Sequence, residues 1–500
     1  MNAREKIKRN IASGIFYQVV TIILGIVIPR LVLVNLGSEA NGLINSTNQA
    51  LTYLALLEGG MGLSITQALY KPVAIDCHQE VNEIMSTANL FYRNVGKWYF
   101  LGVIFVSILY SYTLSTSIPR SVVFGVVLLS GLPQVINFFF QGKYRTLISV
   151  YGKEYALTNF NTVVYVVTSF LKIALLTNGF GLLEIQLMYF GVSLFQMAFI
   201  LAYVKKTFPW IDLRVKPIPQ KIGQRSSVFI HQIAGFIFSN TDILVLTYFC
   251  NLKIASVYSL YNLFYSMVAT FVANITGGVV FKMGQMFQSD RKQYLHLQNT
   301  FETINMLLVF SCQFVLCLCI LPFLKIYTRG VDDINYLDNL LPYLFATVHL
   351  LQSGRFSSQK VIEYGGEFKG TQWHAAVEMI VNLVVSLFGV IKFGIYGVLY
   401  GTIVALLVRS ILMIWYACKK ILHISQKAIY IKWGLNIIVF IVGQMIMRLV
   451  SVDLDSYLKI IIYACIMMIV SLFLFGGISY IYDKETWYLV TAKMKKRIQK

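Results

Sequence analysis

Charged residues fall inside long apolar runs, among them Arg30, Glu58, Lys172, Asp242 and Arg409. A charge at the centre of a bilayer costs roughly 2.5–3.5 kcal/mol on insertion scales, so each one calls for a reason. A guanidinium grips phosphate through two parallel hydrogen bonds and an ammonium acts as a point charge, so Arg30, Lys172 and Arg409 together suit an anionic cargo. The carboxylates of Asp242 and Glu58 would instead pair with a cation or take up a proton. Glu58 precedes Gly59-Gly60, and a glycine break frees backbone groups that can help to bind a coupling cation. Each residue also has a plainer reading. Arg409 is far from both ends of its run and either faces an internal cavity or forms an ion pair between helices. Arg30 and Lys172 lie near the outer ends of theirs and can snorkel outward. Asp242 can be paired structurally, and Glu58 can mark a water-exposed kink. His349, and His374 with Glu378 one turn further on, receive no role, because a lone buried histidine is usually just hydrogen-bonded.

These charges are positioned by a chain that is 57% hydrophobic and only 13% charged. A soluble protein of 500 residues could not hide that much apolar surface, so the chain belongs in a bilayer. Runs near 20 residues are long enough to cross the hydrocarbon. They are expected at 11–34, 43–70, 98–116, 119–140, 155–176, 182–204, 226–249, 257–281, 303–326, 337–356, 372–392, 395–418, 433–450 and 459–482, fourteen helices in all. The first run exceeds a signal-peptide core of about 7–15 residues and reads as an uncleaved span. With the N-terminus inside, the cytoplasmic segments hold 32 basic residues and the outer loops 7, a strong positive-inside bias that also places the C-terminus inside. The net charge of +20 is therefore topology rather than a nucleic-acid-binding face. The seven cysteines are scattered, and Cys317-Leu-Cys319 lacks a second ligand pair, so no metal site is expected.

The chain also repeats itself. Residues 151–160 read YGKEYALTNF and residues 364–373 read YGGEFKGTQW, and the same offset of 213 carries Phe180-Gly181 onto Phe393-Gly394. A repeat of six helices is even, so both copies insert in the same direction about an axis along the membrane normal. The expected architecture is an all-α integral membrane protein with two pseudo-symmetric six-helix lobes and two extra C-terminal helices. The lobes are 1–204 and 226–418. A basic, proline-bearing linker at 205–225 joins them, the extra helices lie in 419–482, and a basic tail at 483–500 lies on anionic lipid. No outer loop exceeds about a dozen residues, so function resides within the membrane or at its surfaces. Asp453-Leu-Asp455 mimics a metal-binding DxD, but its short loop reads as solvated. No catalytic residue, metal or organic cofactor is expected, only coupling to a proton or sodium gradient.

Two stretches carry a family resemblance. PRLVLVNLGSEANGLINSTNQAL, with Arg30, Gly37 and Gly42, resembles the R-x-LG-x-x-x-x-G stretch that opens polysaccharide transporters of the MATE-like (multidrug/oligosaccharidyl-lipid/polysaccharide) superfamily, although five residues, LVLVN, separate Arg30 from Leu36-Gly37. SNTDILVLTYFCNLKIASVYSLYN resembles the family's D-x-x-x-L…A-x-x-x-Y pattern through Asp242, Leu246, Ala255 and Tyr258. The resemblance implies a bacterial inner-membrane flippase for undecaprenyl-diphosphate-linked oligosaccharides of the O-antigen or capsule type, with Arg30 and Arg409 contacting the diphosphate or acidic sugars. It also implies membrane lipids, a polysaccharide polymerase and other assembly proteins as partners. Lipid II flippases share fourteen helices and a cationic cavity and typically carry several arginines in helices 1, 2 and 8, whereas the 43–70 and 257–281 spans of this chain contain none. MATE drug exporters typically have twelve helices and acidic cavities. A drug or ion antiporter and a membrane glycan polymerase remain as competing readings.

Overall fold

The computed structural model describes residues 3–219, 235–238, 240–450 and 452–488. It is 86% helical without strands among these residues. In lipid every backbone N–H and C=O must be satisfied within the chain, and the helix does so locally. Among the described residues ten helices are long and apolar enough to cross a membrane, and Leu252–Gly277 with Lys282–Ser289 forms one further bent pair. Large apolar side chains such as Phe388, Ile391 and Phe473 are at least 70% exposed, which suits contact with lipid tails rather than water. The chain is a multi-pass membrane protein.

Two compact units divide the chain, one of residues 1–233 with 246–256 and one of 234–245 with 257–500. The first unit opens with α1 (Ala3–Ala55), which runs through the first expected loop. The only interruption there is Gly37, whose φ of 82° takes the chain out of helical geometry. The second expected span breaks at Glu58, where Gly59 and Gly60 are both left-handed, and resumes as α2 (Met61–Ala74). Next come α3 (His78–Thr113), α4 (Arg120–Ile136) with a π-turn at Asn137–Gln141, α5 (Gly142–Val150), α6 (Glu154–Thr177) and α7 (Leu182–Thr207). α3 starts twenty residues before the expected 98–116 span. Its polar first half carries an apolar stripe, including Val81, Met85, Ala88 and Tyr92, that packs with Ile65 and Leu69 of α2 and Leu147 of α5. The expected linker begins inside α7. Over 208–218 it is pinned to α3: Trp210 O accepts from Asn82, Leu213 O and Val215 O accept from Ser86, and Ile218 N–H donates to Thr87. Residues 220–225 of that linker, and 489–500 of the expected tail, lie outside the described residues.

The second unit contains the first half of α8 (Asp242–Phe249), most of α9 (Leu252–Ser289), α10 (Arg291–Tyr327), α11 (Leu341–Gly354), α12 (Phe356–Tyr364), α13 (Phe368–Phe393), α14 (Ile395–Tyr416), α15 (Lys427–Arg448) and α16 (Tyr457–Tyr482). The repeat is visible in the helix starts. α3, α6 and α7 begin at His78, Glu154 and Leu182, and α10, α13 and α14 begin 213, 214 and 213 residues later. The nine-residue α5 recurs as the nine-residue α12, and each is followed by a turn at a positive-φ glycine, Gly152 (69°) or Gly366 (68°). Outside the repeat, α15 and α16 dock on α10 through a ring cluster. Phe310 and Phe314 lie within 6.3 Å of both Phe440 and Phe475.

One seam in this unit matters for everything below. α13 and α14 form a tight hairpin closed by glycines. A Cβ on Gly397 would fall 2.1 Å from the carbonyl carbon of Gly389, and one on Gly401 would fall 2.2 Å from Ser386 Oγ. Small residues spaced four apart let two helix backbones approach this closely without a driving force from water.

Candidate functional site

Asp242 begins α8 and is 6% exposed. Its Oδ2 accepts hydrogen bonds from Tyr258 of α9 at 2.8 Å and from Thr402 of α14 at 3.0 Å. Asn382 of α13 donates to the same Thr402 hydroxyl at 3.0 Å. Four helices thus meet on one carboxylate. Two buried oxygens of this nest, Asp242 Oδ1 and Asn382 Oδ1, have no hydrogen-bond partner. Buried acceptors are rarely left unmade. A carboxylate, an amide carbonyl and a hydroxyl are the hard oxygen donors that suit an alkali or alkaline-earth cation, and a proton on the carboxylate would satisfy part of the same deficit.

One turn along the hairpin lies a second cluster. Glu378 of α13 is one turn before Asn382 and its side chain is 3% exposed. It lies between two arginines. Arg409 of α14 brings Nη1 to 3.0 Å from Oε2, and Arg355 places Nη1 on Oε1. Arg409 also donates from Nε to Met413 Sδ at 3.3 Å. Its approach to Glu378 is at ion-pair distance but off the hydrogen-bond direction, which leaves Nη1 without a hydrogen bond. Arg355 stands at the break between α11 and α12, with its guanidinium 5.9 Å from the centre of the Phe238 ring. Two cations share one anion, so the buried cluster carries one net positive charge. Removing charges from water this far is costly unless they are paired, and the second arginine has only a shared partner.

The first unit holds the other predicted residues. Lys172 of α6 is 6% exposed and lies 5.4 Å from the centre of the Tyr189 ring, with no carboxylate in ion-pair range among the described residues. Its helix packs on α1 through Leu176 against Ile28 and Val32, the residues that flank Arg30. Arg30 itself is half-buried. Glu58 accepts a hydrogen bond from Tyr92 of α3 at 3.0 Å, beside its glycine break.

The structure therefore joins Arg409 with Glu378, which sequence reasoning set aside, and with Arg355, which it counted as a cytoplasmic loop charge at the end of its span. Asp242 acquires Asn382 and Thr402, for which the sequence carries no local signal. Tyr258 is the exception, because it shares a motif with Asp242. No group of three or more His, Cys, Asp or Glu suited to a metal occurs among the described residues.

No protein-family model matches the chain, and no curated protein matches it in sequence. Solved structures do. An inward-facing multidrug resistance MATE family transporter of the MOP superfamily aligns at a TM-score of 0.62 and 12% identity, over 80% of this chain and 94% of that one. The lipid II flippase MurJ, in an inward closed conformation, aligns at 0.62 and 12% over 94% of this chain and 98% of that one. The MATE multidrug transporter DinF-BH aligns at 0.56 and 13% over 84% of this chain and 97% of that one. The fold is that of MATE and MurJ transporters. At such identity the likeness is one of fold, and the chemistry rests on the residues above.

Proposed function

We propose that this chain moves an anionic lipid-linked headgroup, undecaprenyl-diphosphate-linked oligosaccharide, from the inner to the outer leaflet of the bacterial cytoplasmic membrane by alternating access. The observation that carries the reading is the α13–α14 seam. There, Glu378 of α13 is shared by Arg409 of α14 and by Arg355 from the α11–α12 break, one helical turn from a nest with two uncommitted oxygens. A diphosphate offers acceptors that a guanidinium grips bidentately, so it can replace Glu378 as the partner of Arg409 and Arg355. Arg30 and Lys172 supply positive charge in the first unit. A cation or proton at Asp242 draws in Thr402 and Asn382, and so bears on the same hairpin that carries Glu378 and Arg409. Coupling between sites requires such a shared two-state element. Glu58 is the weaker coupling candidate, since its one hydrogen bond comes from Tyr92, which touches none of the residues proposed to hold cargo. A buried net positive charge is a poor receptor for cationic drugs, which argues against drug export. Lipid II, also a diphosphate lipid, is the second reading. It is favoured by the alignment of the flippase MurJ over 94% of this chain.

The test is the sidedness of lipid-linked oligosaccharide in cells depleted of the protein, read in oriented vesicles with an impermeant lectin or glycosidase. Accumulation of complete carrier-linked units on the cytoplasmic face, reversed by re-expression, is the expected result, and the trapped glycan identifies the cargo. Normal sidedness with unchanged surface glycan would overturn it, and export of cationic dyes would then point to antiport.

A further inference from the structure

The two helices outside the repeat, α15 and α16, meet α10 at a charged cluster apart from the residues proposed to hold cargo. The Lys432 ammonium of α15 donates to Asn299 Oδ1 at 2.7 Å and Thr303 Oγ1 at 2.8 Å on α10, and it pairs with Asp483 Oδ2 at 3.4 Å, just past α16. Asp483 Oδ2 accepts in turn from Asn299, Thr303 and Thr486 at 2.6–2.9 Å. Beside this cluster is a cavity of about 60 Å³ lined by Gln298, Asn299, Glu302, Ser425 and Lys432. Its volume exceeds the roughly 10–15 Å³ that one water needs.

Glu302 is 7% exposed, yet it accepts no hydrogen bond and joins no ion pair among the described residues. Gln298, one turn earlier on the same face of α10, is 4% exposed and its Oε1 has no partner. Lys432 cannot serve them, because an ammonium has three protons and all three are committed. An ionised Glu302 would therefore be a buried anion without a donor, which is expensive. A proton resolves both deficits: a neutral carboxyl can donate its O–H to Gln298 Oε1. A metal ion fits less well. It would need several oxygens where two groups are uncommitted, and it would share the cavity with a fixed ammonium.

We propose that Glu302 is a proton-binding site, served by water in this cavity, that controls how α15 and α16 are held to α10. With the proton bound, Lys432 belongs to Asp483. When the carboxyl O–H breaks and the proton leaves to cavity water, the new carboxylate competes with Asp483 for the same ammonium and loosens the joint. The other titratable groups facing Glu302 are Tyr294 on α10, Cys418 after α14 and Tyr482 on α16. Nothing in this proposal depends on the identity of the cargo.

The test is infrared difference spectroscopy on the full-length protein in lipid nanodiscs, following the protonated-carboxyl C=O stretch from mildly acidic to alkaline pH. The expected result is a band lost on alkalinisation in the wild type and missing from Glu302→Gln, with amide exchange at residues 425–432 rising in the wild type alone. An identical band in wild type and Glu302→Gln would overturn the assignment. So would loss of the wild-type band on adding sodium at constant pH, which would make the occupant a metal cation. Should Glu302→Gln fail to fold, Gln298→Leu reads the same bond. The band should shift to the position of a free carboxyl, and no shift would contradict the proposal.

Discussion

The two units treat buried charge differently. In the second, the buried ionic residues Arg409, Glu378, Asp242, Lys432 and Asp483 belong to clusters built from several helices, and Glu302 is the exception. In the first, Lys172 is alone against the Tyr189 ring, and Glu58 has one tyrosine. Clustered charges hold helices in register and resist removal. A solitary buried charge contributes nothing to the fold that a methionine would not, so its retention argues for a ligand. Under the proposed function, the second unit would carry the coupling machinery and the first unit a simpler receptor for anionic groups.

Breaking the cluster should have the largest effect. Arg409→Ala leaves Glu378 with one partner and should abolish transport, while Arg409→Lys keeps part of it. Removing one partner of a buried pair costs about 3–5 kcal/mol, so headgroup sidedness must be read alongside protein level. Wild-type transport by the alanine variant at normal level would remove Arg409 from the site. Next comes the seam. Gly397→Ala drives a methyl into the Gly389 backbone, and overpacking of this kind costs about 1–3 kcal/mol. The expected signature is a fall in thermal stability together with loss of transport, because both clusters ride on this hairpin.

Lys172→Met should go the other way. Relieving a lone buried ammonium should raise thermal stability by on the order of 1 kcal/mol while weakening headgroup capture. A loss of stability instead would show that Lys172 is structural after all. The smallest effect is at the end of α16. Burial alone would raise the Asp483 carboxyl, but the hydroxyls of Thr303 and Thr486, the Lys432 charge and the Thr486 N–H outweigh it and hold it below the usual carboxylate range. A depressed value stabilises the fold above the unfolded value of about 3.9 and is lost as pH falls through the folded one. Thermal melts across that acidic window should slope for the wild type and flatten for Asp483→Asn.

The fold was readable because lipid imposes helix, length and loop charge on a sequence, and because one offset ties Tyr151-Gly152 to Tyr364-Gly365. What hydropathy could not show is helix that leaves the bilayer. The first half of α3 is polar by composition and is held by its stripe onto α2 and α5 and by its hydrogen bonds to the 208–218 segment. Asp242 and Arg409 stood out as charges in apolar runs. Their partners did not. Arg355 sits at a span end, where a basic residue is ordinary, and its burial follows from the α11–α12 break. Asn382 and Thr402 are unremarkable on their own helices, and only the glycine seam brings them to Asp242.

The most direct test of the account is headgroup translocation in proteoliposomes carrying a fluorescent prenyl-diphosphate sugar, with and without an imposed proton or sodium gradient, for wild type and Asp242→Asn. Differential coupling of the usual size predicts a gradient-driven acceleration of about 5–150-fold in the wild type and none in the variant, which keeps its ungated basal rate. An Asp242→Asn protein that still responds to the gradient would contradict the claim that the oxygens of this nest couple the ion to the arginines beside it.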